Sequence, residues 1–128
     1  MYTEIIKNLR FNQDGLIPVI VQDQDKNILM FAWMNKESVN LTLETKYLHY
    51  FSRSRKKLWR KGEESGQIQK LLELRIDCDD DCLLAIIKQT GVACHTGRES
   101  CFFKTVKENN IIINQEVKID PNELYAKD

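Results

Sequence analysis

The chain is poor in the residues that punctuate or staple a fold, with five glycines, two prolines, four cysteines and two histidines in 128 residues. So little Gly and Pro provides no flexible linker and no low-complexity stretch, and the sequence reads as a single domain over residues 1–128. An excess of one charge is also missing: 19 Lys+Arg balance 19 Asp+Glu, which argues against a general nucleic-acid binder. Apolar runs such as Ile28 to Trp33 and Leu83 to Ile87 fall far short of the roughly 18 residues a membrane helix needs, and Met1 to Arg10 lacks the apolar region of a signal peptide. No membrane partner is expected, and the expected location is the cytoplasm. In that reducing compartment four cysteines point toward metal binding or catalysis rather than disulfides. What is present in quantity, 42% hydrophobic and 30% charged residues, is ordinary globular composition. A chain of this length buries roughly two-thirds of its unfolded surface and needs no staple.

Leu16 to Gln22 is apolar and β-branched, Asp23 to Asn27 supplies turn formers, and Ile28 to Trp33 is a second apolar run, which together signal a hairpin. Asn35 can cap a helix over about residues 36 to 46, with Val39, Leu43 and Tyr47 on one face, Leu41 nearby and Glu37 in the first turn. Leu48 to Ser52 is strand-like, and Arg53 to Lys61 is a basic stretch containing Trp59. After the loop Gly62 to Gly66, Ile68 to Cys78 alternates, with Leu72, Leu74, Ile76 and Cys78 on one face and Glu73, Arg75 and Asp77 on the other. Asp79, Asp80 and Asp81 turn the chain into a more buried strand, Cys82 to Gln89; a loop from Gly91 to Ser100 and short strands Cys101 to Val106 and Ile111 to Val117 follow. About seven strands and one main helix predict an α+β fold dominated by antiparallel sheet.

Three groups of residues carry chemistry. Asp77, Asp79 and Asp81, spaced by two, can converge hard oxygen ligands on Mg²⁺ or Ca²⁺, or simply form a solvated acidic turn. A calcium loop is excluded, because its sixth and twelfth positions would be Cys82 and Lys88 instead of Gly and Glu. Cys78 and Cys82 have the gap of a zinc knuckle, and with Cys94 and Cys101 they could close a four-thiolate site; the same cysteines also suit small buried positions on strands. The cations Arg53, Arg55, Lys56, Lys57, Arg60 and Lys61, flanked by Tyr50, Phe51 and Trp59, suit a phosphate or nucleotide surface, or equally a protected strand edge. A small zinc-stabilised RNA-binding module is one reading of these pieces. Zero net charge and carboxylates beside the thiols count against it.

Taken in order, Gly15 to Asp23, Leu29-Met30, Ala32 to Asn35, Tyr50 to Arg55, Leu58 to Glu63, Ser65-Gly66, Asp77 to Asp81 and Cys94 to Cys101 resemble the phosphoribosyl-AMP cyclohydrolase family of histidine biosynthesis. The match spans about residues 10 to 105 and leaves a short C-terminal tail, so the expectation is the monofunctional form. Two positions depart from the family's habit: Glu64 stands where Thr or Ser is usual, and Gln67 where His or Asn is common. The resemblance implies an intertwined homodimer. Zn²⁺ would be held by Cys78 of one subunit and Cys94 and Cys101 of the other, and Mg²⁺ by Asp77, Asp79 and Asp81, while Cys82 stands at a position the family does not reserve for cysteine.

The implied substrate is phosphoribosyl-AMP, an adenine ring alkylated at N1, with water added at C6 and the C6–N1 bond broken. Three protein ligands leave zinc a fourth position for water, whose pKa falls toward about 7. His95, next to a ligand, is the expected proton shuttle, and His49 in its strand reads as structural with a place in the site left open. Arg53, Arg55, Arg60 and Lys61 would neutralise the phosphates, Trp59 would stack on the base, and Ser65 belongs to the substrate loop. A related purine-ring hydrolase acting on another N1-substituted adenine nucleotide is the remaining alternative.

Overall fold

The computed structural model describes residues 2–124, so residues 125–128 of the expected C-terminal tail lie outside the described residues. In chain order the elements are α1 (Thr3–Lys7), β1 (Ile17–Gln22), β2 (Ile28–Met34), α2 (Lys36–Thr45), β3 (His49–Ser52), β4 (Lys57–Arg60), β5 (Gln69–Ile76), β6 (Leu83–Gln89), β7 (Lys104–Lys107), β8 (Asn110–Ile113) and α3 (Pro121–Leu124). The expected hairpin is the antiparallel β1–β2 pair, with a bulge where Val21 faces Met30 and Gln22 faces Ile28. Four strands make the main sheet in the order β2-β1-β6-β5, while β3-β4 and β7-β8 form two further hairpins. All pairs are antiparallel except β1 with β6, which run parallel at the centre of the sheet. The α+β class with mostly antiparallel strands is as expected.

Asn35 caps α2 as its sequence suggests. Its side chain accepts from the Ser38 amide at 2.8 Å and the Ser38 hydroxyl accepts from the Asn35 amide at 2.7 Å, a reciprocal cap worth about 0.5–2 kcal/mol. The helix stops at Lys46, whose φ of 65° places it in the left-handed region. Val39 and Leu43 of α2, with Leu48 beside β3 and Tyr50 on it, cover one face of the main sheet. Beneath them, Ile17, Val19 and Val21 of β1 and Leu83, Ala85 and Ile87 of β6 are essentially sealed from solvent. Each larger side chain of this core contributes about 1.5–3 kcal/mol of burial.

Several details depart from the expected pattern. Eight strands form, because the basic stretch contains β4, whose Leu58 and Trp59 are half-buried, Trp59 against the core, while Lys57 and Arg60 stay exposed. The last two strands are shorter than expected, starting at Lys104 and ending at Ile113. In β5 a bulge falls at Leu72, between Leu71 facing Ile87 and Glu73 facing Ile86. One extra residue shifts the alternation, so Gln69 and Leu71 point inward with Leu74, and Leu72 is pushed out to 45% exposure. The sheet face opposite α2 keeps Phe31 exposed and Ile20, Leu84 and Ile86 half-buried.

Candidate active site

After β6 the chain enters the loop from Gly91 to Cys101, which folds back on itself. The Ala93 amide donates to the Glu99 carbonyl at 3.2 Å, the Cys94 amide to Arg98 at 3.2 Å and the Gly97 amide to Cys94 at 3.0 Å. Gly97 sits at φ +86°, and a Cβ there would meet the Ile119 carbonyl oxygen at 1.8 Å, so only glycine lets the C-terminal segment lie this close. The amides of Lys118 and Ile119 both donate to the Gly97 carbonyl, at 2.8 and 3.1 Å. At the loop's far end the Ser100 hydroxyl donates to the Ile28 carbonyl at 2.8 Å and the Cys101 amide donates to Leu29 at 2.7 Å, which moors the loop to β2.

This loop brings Cys94 and Cys101 together and leaves His95 exposed between them. Cys94 is buried and its sulfur accepts from the Thr96 hydroxyl at 3.1 Å. The Cys101 thiol is pushed up to about 12, first by loss of water around it, then by the charge and hydrogen bond of Cys94, with the Lys61 ammonium opposing. Lys61 donates from Nζ to the Ala93 carbonyl at 2.6 Å and lies 5.7 Å from the Trp59 ring centroid. Burial lowers the pKa of its ammonium, while the Cys101 and Cys94 thiols act the other way.

A cleft of about 350 Å³ opens over these groups. His95, Cys101, Arg55, Trp59, Arg60, Lys61 and Ser65 all line it, so seven of the expected site residues converge from two separate stretches of chain. The strand β4 supplies Trp59 and Arg60, and Tyr50 of β3 backs Trp59 with ring centroids 5.3 Å apart. Met30 on the cleft floor, Ala93 and the loop residues Glu63 and Glu64 also line it, none of them expected. Met30 reads locally as a core residue, and no pattern within its strand marks the cleft.

Arg53 does not line this cleft; its guanidinium lies 4.9 Å from the ring centroid of Trp33. His49 is also apart. It is buried, its amide donates to the Thr42 hydroxyl at 2.9 Å and its Nδ1 pairs with the Tyr47 carbonyl at 2.8 Å.

The acidic turn joins β5 to β6 away from the cleft. Asp77, Cys78 and Asp79 each offer a ligand atom within 4.8 Å of the other two, the one such trio among the described residues. Asp77 organises the turn: its carboxylate accepts from the Asp81 amide at 3.0 Å and its carbonyl from the Asp80 amide at 3.1 Å, with Asp80 at φ 61°. The Asp81 carboxyl is raised above its ordinary range, chiefly by loss of solvation and then by the charge and hydrogen bond of Asp77 and the charge of Asp79. Cys82, half-buried just before β6, stands outside the trio; desolvation, then Asp77 and Asp81, raise its thiol. Within one chain Cys78 does not join Cys94 and Cys101.

A cation-lined cleft holding an exposed histidine and the Cys101 thiol, with Cys94 buried behind it, on an α+β scaffold has the chemistry of an enzyme site for a small anionic substrate. Comparison with known proteins narrows this. The phosphoribosyl-AMP cyclohydrolase family model matches residues 30–103. Among similar proteins are phosphoribosyl-AMP cyclohydrolases of Alcanivorax borkumensis, 54% identical over 97% of this chain and 88% of the relative, of Halorhodospira halophila, 49% identical over 98% and 89%, and of Methanocorpusculum labreanum, 50% identical over 97% and 98%. The chain belongs to the phosphoribosyl-AMP cyclohydrolase family.

Proposed function

We propose that the cleft around His95 is where this chain carries out its family's reaction, hydrolytic opening of the adenine ring of phosphoribosyl-AMP in histidine biosynthesis. The observation that carries the reading is the convergence of His95, Cys101, Trp59 and the cations Arg55, Arg60 and Lys61 on one cavity. Arg55 and Arg60 oppose the two phosphates and Lys61 adds a short-range cation deeper in the wall. Trp59, backed by Tyr50, stacks on the base. Water adds to C6, the C6–N1 bond breaks, and N1 leaves with a proton. His95, exposed at the cleft and unencumbered by the loop's own hydrogen bonds, takes the proton from water and returns it to N1.

The donor set fits two metals. Thiolates at Cys78, Cys94 and Cys101 suit Zn²⁺, and carboxylates at Asp77, Asp79 and Asp81 suit Mg²⁺. Bound zinc supplies the Lewis acidity that brings water's proton release toward neutral pH. Because Cys78 sits with Asp77 and Asp79 while Cys94 and Cys101 sit together elsewhere, one zinc site draws on two copies of the chain, and the assembly is a homodimer. The apolar residues on the sheet face opposite α2, Phe31, Ile20, Leu84 and Ile86, offer that second copy a surface. Four free cysteines and the absence of any helix long and apolar enough to cross a membrane among the described residues suit work in the cytoplasm.

The test is an absorbance assay with phosphoribosyl-AMP, with and without a chelator. Turnover that the chelator abolishes and zinc with Mg²⁺ restores is expected; turnover indifferent to chelation contradicts the metal assignment, and no turnover of the loaded protein contradicts the substrate.

A further inference from the structure

We infer that Gln67 is a positioning residue that latches the substrate loop to the loop carrying His95. The inference rests on the functional reading above, since it deepens the role of that cleft. Gln67 Oε1 accepts from the Val92 amide at 2.9 Å, while its Nε2 donates to the Ser65 carbonyl at 3.2 Å. Its own amide donates to the Ser65 hydroxyl at 3.2 Å. One side chain thus ties Ser65, which lines the cleft, to Val92, three residues before His95. Space for it exists because residue 91 is glycine: a Cβ there, at φ +67°, would meet Gln67 Oε1 at 1.6 Å.

A buried amide network supports the latch from below. Tyr50 donates its hydroxyl to Gln69 Oε1 at 2.5 Å, and the fully buried Gln69 donates to Gln89 Oε1 at 2.8 Å. Gln89 Nε2 then faces the carbonyls of Gln67, Thr90 and Val92 at 3.3, 2.9 and 3.3 Å. The same Tyr50 backs Trp59 by a ring contact, so one network of packing and hydrogen bonds joins the base-stacking wall to both loops.

The two loops do not depend on Gln67 equally. The His95 loop keeps its own ties to Lys61, Leu29 and the C-terminal segment, whereas the turn at Ser65 is closed within itself by the Gly66 amide on the Gly62 carbonyl at 2.8 Å and reaches the His95 loop through the Gln67 side chain. Removing the latch therefore frees the substrate loop first, and the effect falls on substrate affinity more than on the chemical step.

The decisive variant is Gln67→Met, which fills the space and makes neither hydrogen bond. Steady-state kinetics with phosphoribosyl-AMP on the metal-loaded protein, amide exchange at Val92 and the thermal midpoint are compared with those of wild type. KM is expected to rise roughly tenfold with kcat within about threefold, and Val92 to exchange faster. Ser65→Ala should raise KM in the wild type but less than about twofold in the Gln67→Met background, because its target is already misplaced. Unchanged KM, a kcat loss as large as the KM rise, or equal cost of Ser65→Ala in both backgrounds overturns the latch. If Gln67→Met does not fold, Gln67→Asn, one methylene short of both partners, carries the same test. Absence of turnover in the wild type would refute the functional reading instead, and exchange at Val92, faster in the variant or unchanged, would still decide the latch.

Discussion

The loop from Gly91 to Cys101 and the turn from Asp77 to Cys82 both carry thiols, yet they are built in opposite ways. The loop is moored at its far end to β2 through Ser100 and Cys101 and at its middle to residues 118 and 119 through Gly97, and it buries Cys94. The turn is open to solvent, and Asp77, Cys78 and Asp79 stand exposed at its edge. A site complete within one chain would shelter all its donors together. Here the loop is preorganised, burying Cys94 and presenting Cys101 to the cleft, whereas the turn holds all three of its donors outward, as a donor group offered to a second molecule would be.

The largest expected effects come from removing thiols. Cys94→Ser and Cys78→Ala should each lose zinc and turnover while the fold survives, although the two residues lie in different regions. Cys82→Ala should keep one zinc per subunit and most of the activity, measured by metal analysis and the same assay. Equal zinc loss from Cys82→Ala would indicate a closed four-thiolate site and erase the contrast between loop and turn. Next in size, His95→Ala should cost about 10²–10⁴ in rate with zinc content unchanged, the range of a lost general acid or base. Zinc loss from that variant would make His95 a ligand. Smallest is Asp79→Asn, which should raise the Mg²⁺ concentration giving half-maximal rate without emptying the zinc site, since an amide oxygen is a poorer ligand for a hard cation. No shift would mean that the exposed carboxylates only shape the turn.

The same contrast explains what the sequence discloses. The β1–β2 hairpin and the capped helix α2 are written in contiguous residues, from Leu16 to Trp33 and at Asn35 and Ser38, and both were legible. So was the loop holding Cys94, His95 and Cys101, because only six residues separate the thiols and local hydrogen bonds close the gap. The parallel pairing of β1 with β6 joins segments more than 60 residues apart, and no local period encodes it. The bulge at Leu72 is set by its partner strand, so a regular alternation misassigns that residue. Charged Lys57 and Arg60 leave the basic stretch open between a phosphate surface and a protected strand edge, and β4 occupies part of it. Arg53 belongs to the same basic run as Arg55 but stacks on Trp33 instead of lining the cleft, and spacing alone cannot separate the two. Gln67 stands out in the sequence only as a departure from the family's habit, and its role needs the Val92 amide seen on its side chain.

The central claim, that the loop of one copy meets the turn of another, is tested most directly by subunit complementation. Cys78→Ala and Cys94→Ser proteins, each inactive alone, are unfolded together, refolded with zinc and Mg²⁺, and assayed with phosphoribosyl-AMP. A mixed dimer pairs the intact Cys94 and Cys101 of one subunit with the intact Cys78 of the other, so random assembly should recover about one quarter of the wild-type rate. Wild-type protein refolded in the same way sets the reference. A mixture that forms mixed dimers and stays inactive would place all three thiolates of each site in a single chain and contradict the account.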